Sequence, residues 1–303
     1  MGNCLRNAGL PLLLLALLAA CGAPGTGYGA RAVPPAPVAV WSYLDLAGSP
    51  QERPAFFQFA ASARVHTLYL GAGTFRPEAA EAWAGLLEEA RAQGIGVSLV
   101  LGRAAWTRPD QRQAALERVR AVREFAAALG RAGRARPVSL QLDVEPHALP
   151  DWDRDWARLG GEYLDLLEAV RTELQGELPL WVDIPVWWDG RRVRHQGRTR
   201  PLDQWVIDLA DQTVLMDYRN QTRAILAGAE HGLACAAAAG RPVVLGLAVH
   251  CARDGENRTS SFCRLGHRAL IQAMGDVHAK LAARGAYAGM AVFTYEDWRN
   301  LGR

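Results

Sequence analysis

Two acids one residue apart close an otherwise apolar run at 138–145 (VSLQLDVE). Side chains two apart on a strand share a face, so Asp143 and Glu145 point the same way. Carboxylates that close repel, and one pKa rises. The pair then offers a Glu still protonated near neutral pH beside an ionised Asp, which suits proton donation to a leaving oxygen. A second run, 213–218 (TVLMDY), continues into Arg219 and Asn220. Met216 and Tyr218 share a face, which turns the Tyr218 hydroxyl toward a ligand oxygen or a reactive carbonyl. Asp217 points to the opposite side, within reach of Arg219. The bland use of such groups is capping or salt-bridging in the next loop, and His147 and the 151–155 stretch (DWDRD) offer partners for that. Acids that end a buried strand are costly without a role, which favours chemistry at Asp143 and Glu145.

Aromatic residues accompany these acids. Tyr43 and Asp45 lie on one alternating face of the first run, with Trp41, and Tyr69 falls near the end of the second. Asp183 precedes Trp187 and Trp188 in the fifth, and Tyr295-Glu296-Asp297-Trp298 closes the eighth. Flat rings beside carboxylates suit a sugar cleft, because the C–H face of a pyranose packs on a ring while its hydroxyls take the polar groups. Of the ten Trp, Trp83, Trp156 and Trp205 fall on helical stretches and read as packing. Trp187, Trp188 and Trp298 are the better ligand contacts. The expected binding set is thus Tyr43, Asp45, Tyr69, Asp183, Trp187, Met216, Asp217, Arg219, Tyr295, Glu296 and Trp298.

The elements that must hold these residues alternate in type. Eight strand-like runs occur, at 38–46, 65–71, 96–102, 138–145, 178–187, 213–218, 242–249 and 289–295. Each is rich in Val, Leu, Ile or aromatics and has the length of a buried parallel strand. Amphipathic stretches at 78–93, 111–130, 156–174, 221–239 and 265–283 separate them, with a shorter, irregular connection between runs five and six. This alternation predicts a single α/β domain, a (β/α)8 barrel over 38–303, whose eighth helix is short or absent because the chain ends about eight residues after the last strand. Working residues in such barrels sit at the C-terminal ends of the strands. An open doubly wound sheet is disfavoured, since the stretch after the first run (LAGSP) is no glycine-rich nucleotide loop.

The N-terminus reads as a targeting segment. Arg6 precedes an apolar run at 10–20 that is too short to span a bilayer. It ends in Leu18-Ala19-Ala20-Cys21, which resembles a bacterial lipobox. That likeness implies a signal peptide at 1–20, lipid on Cys21, and a Gly- and Pro-rich tether at 21–37. It implies an exported protein, anchored by lipid in the cell envelope. Cys251 and Cys263 flank a polar segment and can staple one loop, as export permits, while Cys235 reads as a buried thiol. Net charge is +3 and the Arg residues are scattered, which is no nucleic-acid footprint. A monomer is expected.

The strand ends resemble those of the chitinase-type glycoside hydrolases. In that family strand four ends in D-x-x-D-x-D-x-E and strand six carries M-x-Y. Asp143-x-Glu145 and Met216-x-Tyr218 match the ends of those motifs, while Val138 and Gln141 stand where the two upstream acids would be. The resemblance implies Glu145 as general acid/base, Asp143 as the carboxylate that orients an N-acetyl group, and Tyr218 as partner of its carbonyl. The implied substrate is an amino-sugar polysaccharide of envelope, peptidoglycan or biofilm type. A barrel that binds glycan or a partner protein without catalysis is the alternative, motivated by the missing upstream acids. A retaining clan with Asn-Glu-Pro after strand four fits less well, because Val144 replaces the Asn and strand seven ends without a Glu. No G-x-S-x-G elbow and no P-loop occur, and no His or Cys spacing demands a metal. No cofactor is expected.

Overall fold

The computed structural model describes residues 37–251 and 258–302; the expected signal peptide, Cys21 and most of the tether lie outside them. Eight parallel strands close into a barrel: β1 (Val38–Ser42), β2 (Val65–Gly71), β3 (Gly96–Leu101), β4 (Ser139–Leu142), β5 (Leu180–Pro185), β8 (Gln212–Met216), β9 (Val243–Ala248) and β10 (Tyr287–Phe293). Strands β1 and β10 pair to complete the ring. The fold is the predicted (β/α)8 barrel.

Helices α1 (Arg53–Ser62), α2 (Ala80–Ala92), α3 (Arg112–Arg131), α4 (Trp152–Leu174), α5 (Leu202–Leu209), α6 (Thr222–Ala239) and α7 (Gly266–Leu281) surround it. The eighth, α8 (Tyr295–Trp298), is a single turn. Strand alternation divides the apolar residues into two clusters. Outward positions such as Leu140, Leu142 and Val144 pack with the helices in the main core. Inward positions Ala39, Trp41, Tyr69, Val100, Val214, Val244 and Ala291 fill the barrel itself. Trp41 and Tyr69 meet edge to face at 4.9 Å. Gly246 on β9 makes room for that indole: a Cβ there would lie 3.1 Å from Trp41 Cη2.

The irregular fifth connection contains a hairpin that the apolar pattern did not reveal. Strands β6 (Arg192–His195) and β7 (Arg198–Pro201) pair antiparallel across Gln196-Gly197. Both turn residues have positive φ, 47° and 78°, as a tight two-residue hairpin requires. The strands are mostly polar, so hydrophobic periodicity carries no signal for them. Cys251 and Cys263 are joined in a disulfide with their Cα atoms 5.3 Å apart.

Candidate active site

Strand β4 ends at Leu142, but its backbone stays extended far enough for Asp143 N–H to reach Leu101 O at 2.9 Å. The alternation therefore persists. Val144 is buried in the outer core, while Asp143 and Glu145 face the barrel mouth. Gly102 permits this approach: a Cβ at that position would sit 1.9 Å from Asp143 O.

Three carboxylates follow one another up the barrel axis. Asp183 is deepest, on β5, and takes bonds from Gln141 Nε2 at 2.7 Å and Trp41 Nε1 at 3.3 Å. Burial raises its pKa well above the carboxylate range, and the charge of Asp143 raises it further. Asp143 accepts from the Tyr43 hydroxyl at 3.4 Å through Oδ2, while its buried Oδ1 has no partner among the described residues. Burial raises the Asp143 pKa too, against that hydrogen bond. Glu145 is outermost. Burial, then the charge of Asp143, pushes its pKa up to about 7. Its carboxyl lies 3.5 Å from His147 Nε2. Burial lowers the His147 pKa, so near neutral pH that contact joins an uncharged imidazole to a carboxyl and is no ion pair.

Glu145 opens into a cleft of about 610 Å³, with Trp187, Met216, Tyr218, Arg219 and His147 among its walls. Trp187 is 41 % exposed and presents its ring beside His147, 5.3 Å between centroids. Tyr218 reaches the mouth from just past the end of β8, and burial followed by the charge of Asp143 keeps its hydroxyl protonated. Tyr43 is half exposed, and the pKa of its hydroxyl is raised by burial and then by the charge of Asp143. The arrangement can donate a proton from Glu145 at neutral pH and can hold a neighbouring positive charge against Asp143.

The structure brings Glu145, Tyr218, Met216, Arg219 and Trp187 together at the cleft, with Asp143 and Tyr43 beside them. Other members of the expected binding set lie elsewhere. Tyr69 is 1 % exposed, inside the barrel below the carboxylates, and Asp183 lies beneath Asp143. Tyr295 and Trp298 are buried in the outer core, because the one-turn α8 folds them onto Phe59 at 5.0 and 5.2 Å. Trp188 is also buried, stacked on Trp152. Asp217 faces the helices, paired with Arg219, and burial pushes its pKa up to about 6. Glu296 braces the loop after β1: its Oε1 accepts from Ser42 Oγ, Tyr43 N and Leu44 N at 2.8–3.0 Å. Asp45 closes a turn by accepting from Gly48 N at 2.9 Å.

Residues that the sequence reading gave no ligand role also line the cleft. His147 sits two positions beyond Glu145, and Gln221 and Thr259 come from the sixth and seventh loops. Alternation extended past Pro146 was the available signal for His147; nothing local marks the others. Away from the cleft, the fold gathers Asp165, Glu168 and His195 with ligand atoms within 4.8 Å of one another. His195 Nε2 there already bonds Glu168 Oε1 at 2.9 Å.

No protein-family profile and no curated protein matches the sequence. Solved structures do match. A modular endo-β-1,4-mannanase from Cellulomonas fimi aligns with a TM-score of 0.50 at 14% identity, covering 75% of this chain and 57% of that one. The β-glycosidase BGL167 gives 0.50 at 13% identity, covering 82% and 76%. An exo-β-1,4-mannosidase from Opitutaceae bacterium strain TAV5 gives 0.49 at 16%, covering 88% and 52%. At identities this low, the two matches with a TM-score of 0.50 show a shared barrel architecture alone.

Proposed function

We propose that the chain is a glycoside hydrolase acting on an amino-sugar polymer. The observation that carries this reading is Glu145: a carboxyl with a pKa of about 7, without an Arg partner among the described residues, at the wall of an open cleft. Glu145 gives its proton to the glycosidic oxygen as the bond to C1 breaks. The substrate's acetamido oxygen attacks C1, oriented by Asp143 and by the Tyr218 hydroxyl. Water then opens the cyclic intermediate and returns a proton to Glu145. Trp187 offers a face for a sugar ring. The lipobox-like Leu18-Ala19-Ala20-Cys21 supports export and a lipid anchor, and a polymer of the cell envelope or biofilm is the substrate that fits such an anchor.

A silent glycan-binding barrel is the rival reading, and Gln141 in place of an acid favours it. An Arg locked onto Glu145 would have supported it further, and none is described there. Reducing-end release from peptidoglycan, chitin oligomers and poly-glucosamine, for the wild type and Glu145→Gln, separates the two. Release that disappears in the variant is expected. Binding of a polymer with no release from any would overturn the enzymatic reading.

A further inference from the structure

A second concavity opens at the same end of the barrel, over the ends of β2 and β3. It holds about 490 Å³ and is lined by Arg76, Arg103, Arg118, Trp106 and Glu117, among others. Arg76 comes from the loop after β2, Arg103 from the loop after β3, and Arg118 from α3. Arg118 braces a loop, donating to Phe75 O at 2.8 Å and Ala72 O at 3.0 Å. Arg76 donates through Nη1 to Phe75 O and Gly73 O. All of these acceptors are uncharged. Among the described residues none of the three guanidiniums is in an ion pair, and Arg103 is exposed with no described partner. Glu117 is the one acid among these lining residues, and its Oε1 accepts from Gln113 Nε2 at 3.2 Å.

Three guanidiniums against the one carboxylate of Glu117 leave the hollow with an excess of positive charge, which an anion would offset. Burial, and then the charge of Arg76, lowers the Arg118 pKa. The planar guanidinium fork suits carboxylate and phosphate oxygens. This hollow shares a wall with the carboxylate site, since Gly102 lines it and packs against the Asp143 backbone. A polymer with its scissile bond over Glu145 therefore needs to cross only one strand to reach it.

We propose that the arginine pocket is a subsite for an anionic substituent, a carboxylate or a phosphate ester, on the glycan that the cleft holds. The proposal rests on the glycosidase reading for the identity of the ligand, but its test is binding and not turnover. Three hexamers are titrated calorimetrically into Glu145→Gln protein: a chitin hexamer, an alternating N-acetylglucosamine–glucuronate hexamer, and a chitin hexamer phosphorylated at the 6-hydroxyls. One of the two anionic hexamers is expected to bind about tenfold tighter than the neutral one, which identifies the anion. That preference is expected to shrink as salt is raised. Adding Arg76→Gln and Arg103→Gln should remove the preference and leave the neutral hexamer's affinity in place, which also shows that the protein is folded. Arg118 is left intact because it ties α3 to the loop after β2, whereas the Arg76 bonds lie within that loop. Equal affinity for all three hexamers would overturn the proposal, and so would an anionic preference that survives both substitutions. A chain that binds anionic hexamers through these arginines yet hydrolyses nothing would overturn the glycosidase reading alone.

Discussion

The ends of β4 and β10 are built from the same materials, acids next to aromatic residues at the top of a barrel strand, and they come to opposite uses. After β10, each acid has donors. Glu296 Oε1 takes three, though its buried Oε2 has none among the described residues, and Asp297 Oδ2 accepts from Thr294 Oγ1 at 3.1 Å, with His250 Nδ1 3.2 Å away. Tyr295 and Trp298 are buried beneath them. After β4, Asp143 has one long hydrogen bond and an unpartnered buried oxygen, and Glu145 has only His147 at 3.5 Å. Composition does not separate the two ends. What each carboxyl reaches does: Glu296 gathers three donors of the β1 loop on one oxygen, while Glu145, at the cleft and beside the charge of Asp143, keeps a raised pKa available for proton transfer.

Substitutions at the two ends should therefore give opposite signatures. Glu145→Gln is expected to lower turnover by about 10²- to 10⁴-fold with little change in KM, measured on whichever polymer is cleaved. The fold should be undisturbed. Trp298→Ala should do the reverse, costing about 3–5 kcal/mol in denaturant unfolding because it empties a fully buried site, with turnover per folded molecule close to wild type. Glu296→Ala strands three donors of the β1 loop and should cost about 2–4 kcal/mol. If Glu296→Ala spared stability and abolished turnover, the division between the two ends would be wrong. Trp187→Ala is the mildest of the set. Stability should fall by about 1–2 kcal/mol, because more than half of the indole is buried against His147 and Arg191, while glycan affinity weakens roughly fivefold, read by titration.

The barrel was legible because its signal is repeated. Eight apolar runs of strand length, separated by helical periodicity, leave little room for another topology, and Asp143 and Glu145 were legible because two-residue alternation survives to the strand end. What escaped has a physical reason in each case. The β6–β7 hairpin is polar on most of both strands and rests on a turn conformation more than on burial. Tyr295 and Trp298 escaped because alternation was extended into a segment that turns helical at once, under a Thr294 cap that accepts from Asp297 N. Tyr69 was assigned to the right face but lies too deep, since strand periodicity gives the face and not the depth. The pairing of Gln141 with Asp183 escaped because it joins neighbouring strands whose relative register no local pattern fixes.

The raised pKa of Glu145 supplies a test in which function and stability oppose each other. Its folded value of about 7 lies above the ordinary 4.5. Between those values the folded chain keeps a proton that the unfolded chain has released, so stability falls as pH rises through that window. Above it, the folded protein carries the whole cost of a half-buried carboxylate beside Asp143. The Glu145 side chain is 39% exposed, so solvent screening reduces that cost to about 1 kcal/mol. Glu145→Gln removes the charge. It should raise Tm by about 2–4 °C at pH 8 and change it little at pH 4, where wild-type Glu145 is protonated in both states. Over the same window wild-type hydrolysis should decline as pH passes about 7, because the donor has lost its proton. A Tm gap that does not vary with pH, or a rate that stays flat through pH 8, would mean that Glu145 is not the titrating acid. The difference drawn between the two strand ends would then fail at β4.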